Sequence, residues 1–103
     1  MKTAESAVLR SCLEYLRFQH HQVVRINCGG GIDRNGRPIK GTDINGVSDI
    51  MGITFDGRPL CVECKSDKGR LSRHQEIWKA GWLARGGVYV LARGIEDLQG
   101  AGL

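Results

Sequence analysis

The sequence is poor in aromatic residues and proline and has no long apolar segment. Aromatic residues make up 6% of its 103 residues, and two prolines stand against fifteen glycines. No apolar run approaches the roughly 20 residues that a membrane helix needs. Lys2 and Glu5 place charges where a secretory signal would begin its apolar stretch. With 41% hydrophobic residues, the sequence predicts one soluble domain, residues 1–103, in the cytoplasm and not in a membrane.

Acidic residues are also in the minority. Fifteen Lys and Arg against eleven Asp and Glu give a net charge of +4. This balance favours a polyanionic partner, although basic charge also serves solubility. The histidines, His20, His21 and His74, are too scattered for a shared zinc site, and no Ser/His/Asp order or phosphate-binding P-loop is present.

Cysteine usage argues against disulfides and zinc. Cys61 and Cys64 have CxxC spacing, but there is no second CxxC, and the surrounding run resembles a strand. Residues three apart on a strand point to opposite faces and cannot share a metal. We therefore expect these two residues, Cys12 and Cys28 to be buried, reduced thiols. A thiol redox or zinc protein is the less favoured alternative.

Hydrophobic periodicity predicts two main helices and four strands. Apolar residues at spacings of three and four indicate an amphipathic helix from Thr3, its N-cap, to about Gln19. The segment from Gly29 to Gly46 is glycine-rich and is expected to be a long loop or a loose hairpin. The other predicted elements are strands at 23–28, 48–55, 59–65 and 88–92, a helix at 72–85 and a weak helical tail from Ile95. This order predicts an α/β fold with a small mixed sheet flanked by helices.

One glutamate falls on the apolar stripe of the first predicted helix. At about 100° per residue, Glu5 lies close to the line of Leu9, Cys12 and Leu16 and extends the buried stripe by one turn. A first-turn carboxylate stabilised by the helix dipole is the alternative explanation.

Asp49, Glu63 and Lys65 meet only in one hairpin register. Glu63 and Lys65 are two residues apart on one strand and therefore share a face. A two-residue Asp56-Gly57 turn would set Asp49 opposite Cys64, on the wrong face. A three-residue loop, with Gly57 in the left-handed conformation, would set it opposite Glu63. A functional site requires the three-residue loop or a bulge.

Two converging carboxylates and a lysine have a defined chemistry. The carboxylates repel each other, need a counter-charge and suit Mg²⁺ or Mn²⁺. Such a cation polarises a phosphoryl group and lowers the pKa of bound water, and a neighbouring lysine can orient that water. The alternative is a solvated strand face with an incidental ion pair.

The combination of motifs resembles the VRR-NUC (virus-type replication-repair nuclease) family of the PD-(D/E)xK nucleases. The resemblance rests on Glu5, Gly46-Val47-Ser48-Asp49, Glu63-Cys64-Lys65 and Ser72-Arg73-His74-Gln75, in the family's order. Ser48 departs from it, because the family usually has proline there. The resemblance implies a restriction-endonuclease-like αβββαβ core.

The resemblance also implies the roles of the residues. Asp49 and Glu63 would bind Mg²⁺ or Mn²⁺ with the Cys64 carbonyl, and Glu5 would complete the shell directly or through water. Lys65 would activate or position the attacking water. Gln75 would be catalytic, although Ser72 and Gln75 also form a capping box that closes a helix start.

The implied function is a metal-dependent, structure-specific DNA endonuclease. Standalone members from phages and bacteria resemble Holliday-junction resolvases, which implies branched DNA as substrate, a homodimer and a bacterial or phage-infected cell. The alternative is a non-catalytic nucleic-acid-binding accessory module. Expected DNA contacts, or else ordinary surface charges, are Lys68, Arg70, Arg73, Arg34, Arg37 and Lys40. Trp78 and Trp82 are expected in the core; if exposed, they would form a patch suited to dimerisation.

Overall fold

The elements of the chain follow the expected order, and the glycine-rich segment contains a short hairpin, one of the two forms expected for it. A computed structural model describes residues 2–26, 31–39 and 41–103. The elements are α1 (Lys2–Phe18), β1 (Gln22–Arg25), β2 (Gly31–Ile32), β3 (Pro38–Ile39), β4 (Ile50–Ile53), β5 (Pro59–Cys64), α2 (Arg73–Ala84), β6 (Val88–Ala92) and α3 (Ile95–Gly100). β2 and β3 pair with each other and form the hairpin within the glycine-rich segment.

The main sheet is mixed, as the sequence predicts. Its strand order is β1-β4-β5-β6, with antiparallel pairing from β1 to β5 and parallel pairing of β5 with β6. The parallel pair needs a crossover, and α2 supplies it. Leaving aside the β2–β3 hairpin, the order is one helix, three strands, a helix, a strand and a short final helix, in an α/β domain.

Alternation along β5 separates the two faces of the sheet. Val62 and Cys64 face the hydrophobic core, which contains Cys12 and Leu16 of α1 and Leu98 of α3. Residues at the alternate positions of β5 therefore face the other side, where α2 supplies a hydrogen-bond donor to Glu63. The sheet is thus sandwiched, and its α2 side carries the polar residues discussed below.

The beginning of α1 differs from the expectation. The helix starts at Lys2, so Thr3 lies inside it and is not its N-cap. Glu5 is exposed, because the contact of α1 with the core begins only at Val8 and Leu9. The prediction that Glu5 extends the buried stripe is therefore wrong.

β6 has its predicted bounds, whereas the other three predicted strands are shorter than expected. β1 ends at Arg25, and Asn27 and Cys28 lie outside the described residues. β4 contains only four residues, because the chain from Thr54 to Arg58 forms the turn.

Helix α2 packs less deeply than its apolar stripe indicates. None of its residues is fully buried, and Ile77 is 60% exposed. Trp78 and Trp82 are partly exposed and stack on each other, so the expectation that they belong to the core is wrong.

The described cysteines are buried free thiols. They are Cys12, Cys61 and Cys64. Cys64 belongs to the core cluster on the α1 side, and Cys61 is an odd number of strand residues away and faces α2. Within residues 2–26, 31–39 and 41–103, no helix is long and apolar enough to span a membrane.

Candidate active site

The hairpin between β4 and β5 has the register that a site requires. Ile50 pairs with Val62 and Ile53 with Pro59, so the next step of the same register sets Asp49 opposite Glu63. The Thr54 N–H donates to the Arg58 carbonyl at 2.8 Å, which closes a loop of three residues. Gly57 in that loop has φ of +90°. The three-residue loop and the shared face of Asp49 and Glu63 are thus confirmed.

Where the backbone pairing of β4 with β5 ends, the side chain of Asp49 makes the next hydrogen bond to β5. Its Oδ2 accepts a hydrogen bond from the Cys64 backbone N–H at 2.9 Å. The N–H and C=O of one strand residue point toward the same neighbouring strand. The Cys64 carbonyl therefore faces the side on which Asp49 lies.

Glu63 is a buried carboxylate with one oxygen unsatisfied. It is 3% exposed, and its Oε1 is buried without a hydrogen-bond partner. Its Oε2 accepts a hydrogen bond from Gln75 Nε2 at 3.0 Å and lies 3.6 Å from Lys65 Nζ. Burial first, and then the charge of Asp49, raise the pKa of Glu63 to about 8, although Lys65 opposes this shift. A buried carboxylate in this state favours a bound cation or a proton.

Gln75 forms the capping box and also contacts Glu63. Its Oε1 accepts from the Ser72 N–H at 2.8 Å, and the Ser72 Oγ accepts from the Gln75 N–H at 3.2 Å, which together form a capping box. The other end of the same amide donates to Glu63. The cap therefore fixes the side chain that orients the carboxylate.

The stem of the Lys65 side chain passes close to Gly69, and its ammonium group lies beside Glu63. The Lys65 side chain is 16% exposed, and its backbone N–H donates to Ala92 of β6 at 3.0 Å. A Cβ built on Gly69 would lie 3.2 Å from both Cβ and Cδ of Lys65, so a larger residue there would press on the lysine stem. The turn at 66–69 thus leaves room for the ammonium group beside Glu63.

The four side chains line one cleft of about 290 Å³ with residues from α1 and β1. Its lining consists of Glu5, Ser6, Leu9, Arg25, Asp49, Glu63, Lys65 and Gln75. The sequence analysis missed Arg25, which adds a second positive charge to the cleft. Arg25 pairs with Ile50, the residue after Asp49, and only the β1–β4 register reveals this.

The donors fit a hard cation in type but do not form a complete ligand set. Asp49, Glu63 and the Cys64 carbonyl offer oxygen ligands, and the buried, unpartnered Oε1 of Glu63 is suited to a cation. Within the described part of the chain, however, no three His, Cys, Asp or Glu residues are close enough to hold a metal ion together. Glu5 shares the cleft but is therefore not a direct third ligand in this arrangement.

The described basic residues that were expected to contact DNA are exposed and do not line the cleft. Arg34 and Arg37 are exposed at the β2–β3 turn. Lys68 and Arg70 are exposed between β5 and α2, and Arg73 is exposed at the start of α2. None of these five lines the cleft, and Lys40 lies outside the described residues.

Gly46 holds the segment before Asp49 against the start of α2. Its φ is +88°, and a Cβ built on it would lie 2.3 Å from the carbonyl carbon and oxygen of His74 and 2.7 Å from the Gln75 nitrogen. Real Cβ atoms do not approach backbone atoms this closely, so only glycine fits. Ser48, which departs from the family pattern, is fully buried two residues later.

Gly46→Ala is expected to destabilise the protein by more than Gly57→Ala. Both glycines have φ near +90°, which costs about 1–2 kcal/mol for alanine. Only at Gly46 does the new methyl group meet backbone, because nothing lies within 4 Å of a Cβ at Gly57. Urea unfolding of both variants measures the difference. Equal losses of stability would mean that the contact with α2 carries no weight.

Comparisons with known proteins assign the chain to no family. No protein-family model matches the chain, and neither a curated protein nor a solved structure does.

Proposed function

We propose that this protein is a metal-dependent, structure-specific DNA endonuclease with a restriction-endonuclease-like core, similar to Holliday-junction resolvases of the VRR-NUC family. One observation carries the proposal: the buried Glu63, with one oxygen unpartnered, meets Asp49, Lys65 and Gln75 in a single cleft. A charged group is not buried in this way for stability alone, because its desolvation is unfavourable.

In this proposal the carboxylates of Asp49 and Glu63 and the carbonyl of Cys64 hold Mg²⁺ or Mn²⁺, with Glu5 acting through water. The bound cation supplies Lewis acidity toward a phosphoryl oxygen and lowers the pKa of water. Lys65 positions the attacking water, and Gln75 keeps the Glu63 carboxylate oriented. The attack leaves a 5′-phosphate and a 3′-hydroxyl, as the family resemblance implies.

The proposed substrate is branched DNA, with the four-way junction as the first choice. Arg25 lies in the cleft, where its charge suits a phosphate. The exposed Lys68, Arg70 and Arg73, which lie in sequence between the cleft residues Lys65 and Gln75, suit the flanking backbone. Two sites related by a twofold axis match a four-way junction, so we propose a homodimer. A monomeric mass by light scattering at working concentration would contradict the dimer.

A non-catalytic DNA-binding module is the second candidate. It is favoured by the engagement of Asp49 with the Cys64 N–H and by the lack of a three-residue ligand group among the described residues. In that case Asp49 would serve only to complete the backbone hydrogen bonds at the end of β4.

Cleavage of labelled four-way junction, flap and duplex DNA separates these candidates. With Mg²⁺ or Mn²⁺ we expect paired nicks in the junction, and no cleavage in EDTA. Cleavage of flaps or duplex alone would retain the nuclease but reject the junction as its substrate. Binding without cleavage under either metal would favour the non-catalytic module.

A further inference from the structure

A larger cavity lies beside the cleft, along the outer side of α2. Its volume is about 540 Å³, within the range of roughly 300–1,000 Å³ typical of small-molecule pockets. Its lining includes Ile44, His74, Ile77, Trp78, Trp82 and Arg85. The cavity is predominantly apolar, unlike the charged cleft, and the proposed chemistry does not use it.

The cavity presents flat aromatic surface. The rings of Trp78 and Trp82 stack with centroids 5.7 Å apart and an interplanar angle of 27°. The Trp82 indole N–H donates to the Val88 carbonyl at 3.0 Å, so its polar edge is already satisfied within the domain. Ile44 and Ile77, which also line the cavity, are 51% and 60% exposed. An apolar, planar ligand would remove this surface from water.

The cavity and the cleft meet at the first turn of α2. His74 lines the cavity, and the next residue, Gln75, lines the cleft and holds Glu63. Gly46 packs against the backbone of both residues. The cavity and the cleft are therefore separated by a single residue step along α2.

We propose that this cavity binds an unpaired nucleobase of the DNA strand whose phosphate lies in the cleft; this rests on the proposed function. Stacking on aromatic side chains is sequence-tolerant, because every base has a π-face. Arg85, which lines the cavity, places a positive charge beside its apolar floor, and this charge complements a base attached to a phosphate chain. A second copy of this protein fits less well, because a standard interface uses about 20–30 residues a side, many more than line this cavity.

Tryptophan fluorescence reports on the cavity directly, because the sequence contains only two tryptophans and both line it. The probes are duplexes with a short single-stranded overhang carrying either bases or abasic sites, titrated in EDTA so that no cleavage occurs. We expect the overhang with bases to quench the fluorescence and to bind about 10-fold more tightly than its abasic counterpart.

Two exposed positions on α2 give a matched pair of variants. Ile77→Ser, at 60% exposure, removes apolar surface from the cavity, whereas Leu83→Ser, at 49% exposure, changes a residue that does not line it. We expect Ile77→Ser to remove most of the preference for bases over abasic sites, and Leu83→Ser to retain it.

Equal binding of both overhangs, or equal effects of both variants, would overturn the base-binding proposal. So would a dimer that Ile77→Ser dissociates, because the cavity would then belong to an interface between copies. If junctions are cleaved while the overhangs bind equally, only this inference fails. If no DNA is bound or cleaved, the proposed function fails with it.

Discussion

Lys65→Met is expected to lower the rate of metal-dependent DNA cleavage by about 10²- to 10⁴-fold, the range for a side chain that assists proton transfer or positions water. The substitution removes the ammonium group 3.6 Å from Glu63 Oε2 and keeps the unbranched stem that packs over Gly69. Single-turnover cleavage of the best substrate, at saturating Mg²⁺ or Mn²⁺, measures the rate. Because the stem remains, we expect the variant to fold and to bind DNA.

Lys79→Met is the matched control for the loss of one positive charge. Lys79 lies on α2 with its Nζ 5.8 Å from the centre of the Tyr89 ring and does not line the cleft. We expect it to cleave within a few-fold of the unmodified protein. If both variants lose activity equally, or neither does, Lys65 has no special role in the reaction.

Glu63→Gln is expected to make the metal-free protein more stable at pH 8 and to flatten its dependence on pH. The pKa of Glu63 is raised to about 8 in the folded state, so the folded protein keeps a proton that the unfolded chain has already released. The contribution of Glu63 to the stability of the folded state is therefore fully present below pH 4.5, the pKa of this group in the unfolded chain. This contribution is lost as the pH rises to about 8. Glutamine cannot ionise and avoids this loss.

The measurement is urea unfolding in EDTA at half-unit steps from pH 5 to pH 9, for the unmodified protein and the variant. We expect the free energy of unfolding of Glu63→Gln to exceed that of the unmodified protein by an amount that grows as the pH rises. The slope should approach about 1.4 kcal/mol per pH unit, and the difference should level off above pH 8. Glu14→Gln, at an exposed position of α1, provides the control for the loss of one carboxylate. Parallel curves for Glu63→Gln and the unmodified protein would mean that the carboxylate is not desolvated.

Glu63→Gln is also expected to reduce cleavage, which is the opposite of its effect on stability. A residue whose charge destabilises the fold, yet whose loss impairs the reaction, is expected at a functional site. Improved stability with unchanged cleavage would mean that the buried Glu63 takes no part in the proposed reaction.

From the sequence alone, the site could be predicted only on the condition that the hairpin loop has the right length. The two-residue spacing of Glu63 and Lys65 guarantees a shared face on any strand, and Asp56-Gly57 indicates a hairpin. Whether Asp49 joins them depends on one residue of loop length, which composition does not determine. The Thr54–Arg58 hydrogen bond and the left-handed Gly57 decide it.

Other features arise only from contacts between elements distant in the sequence. Gln75 looks like a capping residue, and its bond to Glu63 forms only because α2 crosses over the sheet. Arg25 resembles an ordinary strand residue until the β1–β4 pairing brings it beside Asp49. Glu5 falls on the apolar stripe of the sequence, but the core does not extend to the first turn of α1.

By itself, the sequence determined the α/β class, the order of helices and strands, the mixed sheet and the shared face of Glu63 and Lys65. These follow from periodicity and turn chemistry, which act over a few residues. The tertiary structure alone decided the burial of Glu63, the raised pKa, the partners of Gln75 and the open tryptophan cavity. Burial and electrostatic interaction depend on distances through space, and segments far apart in the chain set those distances only when they pack.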